Sequence, residues 1–81
     1  MSERLILMGA LQEKKREKMH MAVRAQGLIT AIKQIIQPAS VIPLRELQTP
    51  EALELMTELH QIRERYLPLC DAIAEIEREL N

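Results

Sequence analysis

Between Leu55 and Leu80 the apolar residues fall at Leu55, Leu59, Ile62, Tyr66, Leu69, Ile73, Ile76 and Leu80, in alternating steps of four and three. Such a spacing places every one of these side chains on a single helical stripe that a partner helix must cover. Leu53, Met56, Leu67 and Cys70 widen the stripe beyond a two-stranded seam and point to a bundle. The start of the helix is also marked. In "TPE", Thr49 reads as the N-cap, Pro50 as the first helical residue and Glu51 as an acid near the positive dipole end. Pro68 falls inside the repeat and removes a backbone donor at a cost of ~3 kcal/mol in a helix interior. The seam keeps its phase across Pro68, which predicts a kink, with a break at Tyr66–Leu67 as the alternative.

The first half reads as a second helix over about residues 3–37, closed by Pro38. Its back portion carries a seam at Ala22, Ala25, Ile29, Ile32 and Ile36, flanked by Met21, Leu28 and Ile35. Small residues at Ala22, Ala25 and Gly27 would admit a close neighbour. Gly9 and Gly27 each weaken the helix by ~1 kcal/mol relative to Ala. The middle stretch "QEKKREK", residues 12–18, offers no apolar face over two turns. The methionines at 8, 19, 21 and 56 read as core filler rather than as an adaptable binding surface.

Two long helices joined by a connection over residues 38–49 predict a single all-α domain, an antiparallel hairpin, in which position i faces roughly 87 − i. The back of the first helix then meets Leu55, Leu59, Ile62 and Tyr66. Further along, Leu69, Ile73 and Ile76 face the charged stretch, and the opening "LILMGAL" lacks cover as well. Uncovered aliphatic side chains forfeit ~1.5–3 kcal/mol each and invite association. A chain of 81 residues whose only aromatic is Tyr66 has a small core of its own. These points predict a homodimeric helical bundle, with Leu5, Leu11, Leu69, Ile73, Ile76 and Leu80 as the self-association residues.

The connection "QPASVIPLREL" is more apolar than an exposed loop requires. Ala39, Val41, Ile42, Leu44 and Leu47 either plug the end of the bundle or form a docking surface stiffened by Pro38 and Pro43. Val41, Ile42 and Leu44 are the candidate partner-binding residues, with Lys14, Lys15, Arg16 and Lys18 steering an acidic partner protein. The alternative role for that basic run is phosphate contact in a nucleic-acid-binding or transcription-regulatory protein. Against it, "EKKREK" nets only +2 and has no aromatic stacking residue beside it.

Residues 1–48 hold eight basic and four acidic side chains, net +4, and residues 49–81 hold three basic and eight acidic, net −5. The two helices are therefore electrostatically opposite. No Ser/His/Asp or Cys/His constellation and no phosphate loop is visible, so the chain reads as non-catalytic and without a cofactor. His20, His60 and Cys70 lack metal-ligand spacing. The single Cys70 reads as a buried structural thiol. With no secretory pattern and no apolar run near the ~18 residues of a membrane span, it predicts a cytoplasmic protein that does not enter a membrane.

The layout "AIKQIIQP", a short Pro-containing connection, then "LMTELHQIRERYLPLCDAIAEIEREL" resembles the small two-helix accessory proteins of Mu-like bacteriophage early regions. The resemblance implies a helical dimer that binds and inhibits a host protein during host takeover. Members of that group act on a quorum-sensing regulator and on a type IV pilus ATPase. The likeness is one of architecture and carries no residue role across to this chain.

Overall fold

The computed structural model describes residues 2–81. Helix α1 runs over Glu3–Ile36 and helix α2 over Thr49–Leu80. They are joined by two 3-10 turns, Gln37–Ser40 and Leu44–Glu46. The described residues contain no strand. The helices pack on one another as an antiparallel hairpin with extents of 63 × 17 × 15 Å. Helix α1 gives way at Pro38 to the first 3-10 turn, as the missing N–H requires. Helix α2 begins one residue earlier than "TPE" suggests. Gln48 is the N-cap, its carbonyl accepts from the Ala52 N–H, and Thr49 is already helical. Pro50 sits in the first turn, where its lost donor has no intrahelical acceptor.

Helix α2 continues through Pro68 without interruption, so the two-helix alternative falls away. Pro68 lies on the exposed side of the helix. The missing proline N–H leaves the carbonyl of Glu64, itself an exposed residue, without its intrahelical donor. All eight predicted positions from Leu55 to Leu80 are buried or half-buried.

The seam of α1 differs from expectation by one residue. It passes through Leu7, Leu11, Lys14, Lys18, Met21, Ala25, Leu28, Ile32 and Ile35, every one buried or half-buried, again in steps of four and three. Leu28, expected on the flank, is the most enclosed side chain at 2% exposed, whereas Ile36, expected in the seam, is 49% exposed. Both phases are apolar between residues 21 and 36. The observed phase buries Met21 in place of Ala22 and so removes more apolar area from water per turn. Gly27 is not a contact point: a β-carbon there, or at Gly9, would meet nothing within 4 Å.

Leu28→Ala should cost about 2–5 kcal/mol in urea unfolding, and Ile36→Ala under about 1 kcal/mol. The reverse order would place the seam in the other phase. Gly27→Ala, with open space around it and an ordinary helical backbone, should stabilise by roughly 0.5–1 kcal/mol. A loss on that substitution would mean that something packs against Gly27.

Candidate interaction surface

The hairpin has four fully buried side chains, Leu28, Ile62, Leu69 and Ile73. Leu69 and Ile73 are 8% and 5% exposed within the single chain. This corrects the expectation that the charged middle of α1 leaves them open. Lys14 and Lys18 occupy seam positions and are half-buried. A lysine stem of four methylenes covers apolar surface while its ammonium reaches water. The Lys18 Nζ lies 5.9 Å from the centroid of the Tyr66 ring, so the only aromatic ring in the chain receives one of the two seam cations. The polar stretch continues the heptad by means of its stems.

Of the other residues expected to self-associate, Leu11, Ile76 and Leu80 are half-buried and only Leu5 is largely exposed. The Arg4 guanidinium donates to the Leu80 carbonyl at 3.1 Å. It satisfies an acceptor at the C-terminus of α2 and places a cation at the negative dipole end. Along the two edges of the seam, Arg24 pairs with Glu58 at 2.5 Å and Lys15 with Glu77 at 3.4 Å. Each bridge runs from a base on α1 to an acid on α2, within about one and a half turns of the expected register. Both pairs are solvent-exposed and contribute about 0.2–1 kcal/mol each.

The four candidate steering cations do not share a face. Lys14 and Lys18 turn into the seam, Lys15 is held by Glu77, and Arg16 is exposed. His60 lies 3.8 Å from Glu64. Among the described residues no group of three His, Cys, Asp or Glu side chains is arranged to hold a metal ion. Cys70 is half-buried rather than enclosed. No helix is long and apolar enough to cross a membrane among the described residues.

The connection divides its apolar residues between two directions. Ile42 and Leu47 are half-buried, and Ile42 lines a recess with Ala31, Ile35 and Pro38 against the end of α1. Val41 and Leu44 point away and are 82% and 80% exposed. The backbone that carries them is tied down: the Val41 and Ile42 N–H groups donate to the Pro38 carbonyl, and Glu46 N–H to that of Pro43.

Sequence reasoning missed one surface, a lateral face of the hairpin. Beside the seam, an open groove of about 470 Å³ is lined by Ala22, Ile29, Met56, His60 and Arg63 among others. It continues toward the connection past Ile36 and Leu53, and toward the termini past Met19 and Lys15. The opposite face carries Glu17, His20 and Arg24 on α1, and Glu58, Gln61 and Arg65 on α2, by helical phase. Met8, Met19 and Met56, expected as core filler, are exposed. Met21 alone of the four enters the seam. No family model, curated protein or solved structure matches this chain.

If the lysine stems complete the seam, Lys14→Leu should stabilise the hairpin by about 1 kcal/mol or more, because an apolar side chain replaces a partly desolvated ammonium. Arg16→Leu, on the exposed side, should change stability by less than about 0.5 kcal/mol. Equal effects in urea unfolding would remove Lys14 from the seam.

Proposed function

We propose that the protein is a non-catalytic, homodimeric interaction module that docks the connection end of its hairpin on a partner protein and blocks that partner's surface. The exposure of Val41 and Leu44 carries this reading. Two large aliphatic side chains stand in water on a short backbone held by two proline-initiated turns, while Ile42 and Leu47 anchor the same segment. A segment ordered before binding loses little conformational entropy on docking. Helix α2 bends at Pro68 around α1. In keeping with the resemblance to phage accessory proteins, the partner is a host protein of the cytoplasm.

Nucleic-acid binding by the basic run would need its cations on one exposed face. Their dispersal between the seam, the Glu77 pair and solvent weighs against that alternative.

Val41→Ser with Leu44→Ser should abolish capture of the partner and move the unfolding midpoint by less than about 0.5 kcal/mol equivalent. Ile42→Ser should destabilise by about 1–3 kcal/mol. Retained capture by the double variant would refute the docking role. A complex held by apolar contacts should keep its affinity between 50 and 200 mM salt, where a nucleic-acid complex loses orders of magnitude.

A further inference from the structure

We infer that a second copy of this chain covers the apolar lateral face, with α1 of each protomer lying antiparallel on α2 of the other and both connections at the same end. This rests on the homodimeric reading above and adds to it the face and the orientation. Two independent observations carry it, one of area and one of charge.

A folded monomer of 9.4 kDa exposes about 5,000 Å². This chain exposes 6462 Å², an excess of roughly 1,500 Å², whereas a standard interface removes ~800 Å² per partner. Its radius of gyration is 18.4 Å, against about 12 Å for a compact domain of this length. The hairpin is a single layer, and a helix layer becomes stable by packing on a second. A face 63 Å long and 17 Å wide offers on the order of 1,000 Å², which is enough for a stable dimer. One of the two faces is the more apolar. Met19, Ile29, Ile36, Leu53 and Met56 lie along it, interspersed with His60, Arg63 and the Lys15–Glu77 pair. The other is mainly charged and amide side chains, with Ile6 exposed among them.

Charge then selects the orientation. A two-fold axis that brings the same face of two hairpins together runs either along the hairpin or across it. The transverse axis stacks α1 on α1 and α2 on α2. The longitudinal axis stacks α1 on α2 of the other copy. Helix α1 holds seven basic and three acidic side chains, and α2 three basic and eight acidic. Packed helices sit ~8–10 Å apart, about one Debye length at physiological salt. Taken over whole helices, the transverse arrangement sets +4 on +4 and −5 on −5, while the longitudinal one sets opposite charges together. On the face itself the charged residues include Lys15, Arg63 and Glu77, and the longitudinal arrangement stacks the helix of Lys15 on the helix of Glu77. In the longitudinal arrangement the Val41 and Leu44 pairs of both copies share one end of the bundle.

Disulfide trapping in the full-length chain reads the orientation, and light scattering reads the mass. In a Cys70→Ser background, a Gln26→Cys chain and a His60→Cys chain are refolded together from denaturant and oxidised. Gln26 and His60 both line the groove, at the same level of the hairpin. The expected product is the mixed Gln26→Cys/His60→Cys dimer, in severalfold excess over either like pair. A Met19→Cys chain, at mid-length of α1, reads the transverse stacking, because only residues near that axis meet their own copies. Predominant Met19→Cys like pairs would establish it and overturn the orientation. A dimer by mass that traps neither combination would overturn the face while leaving the homodimeric reading intact. A monomer at every concentration would overturn both. Met56→Asp, at an exposed position, should weaken the dimer at least tenfold with helicity retained, and an unchanged dimer would remove this face from the interface.

Discussion

A pair of helices can bury only the strip along which the two touch, and the rest of this structure follows from that limit. The strip here is one heptad seam, running from Leu7 to Ile35 on α1 and from Leu55 to Leu80 on α2. It encloses four side chains and half-covers the others. Most large apolar side chains off the strip remain exposed, Met19, Val23, Leu53 and Met56 among them, while Ile29, Ile42 and Leu47 are half-buried. Stability and sociability are therefore the same question for such a chain. What the seam leaves out sets what the molecule can bind.

The seam tolerates charge because the charge arrives on long stems. Lys14 and Lys18 hold two consecutive seam positions where a short polar residue would have opened a gap against Leu69 and Ile73. Lysine is costly in a core only when its ammonium is trapped. At the edge of a two-helix layer the head reaches water within its own length, and Lys18 ends over the Tyr66 ring. Polar groups at seam positions fix register in helical pairs, at a cost in stability. The two edge bridges, Arg24 with Glu58 and Lys15 with Glu77, agree in sign with that register.

The helices, their antiparallel pairing and the α2 seam were legible in the sequence because leucine and isoleucine at heptad spacing admit one helical phase. The phase of α1 was not, since residues 21 to 36 present two apolar stripes one position apart. Periodicity weighs Ala22 and Met21 alike, whereas packing separates them by volume. The coverage of Leu69 and Ile73 was hidden for a related reason. A two-letter reading scores lysine as polar along its whole length, although four of its carbons are apolar. The lateral face went unseen because Met19, Ile29, Ile36, Leu53 and Met56 are far apart in the chain and become one surface only once both helix phases are known. The connection was read as either plug or dock, and the structure separates its residues by burial alone: Ile42 and Leu47 are half-buried, and Val41 and Leu44 are exposed.

That division ties the two ends of the argument together. A single hairpin offers a partner two exposed aliphatic side chains, a small apolar area that is modest on its own terms. In the proposed dimer, stacking α1 on the acidic helix of a second copy would place two such connections side by side and double that area without new sequence. The transverse stacking would send them to opposite ends of a rod some 63 Å long, where no compact partner could engage both. Opposite net charges on the two helices thus do more than hold the hairpin in register. In the proposed dimer, the same asymmetry that pairs Lys15 with Glu77 inside one chain would decide which way the second chain lies, and with it whether the exposed ends act singly or as one surface.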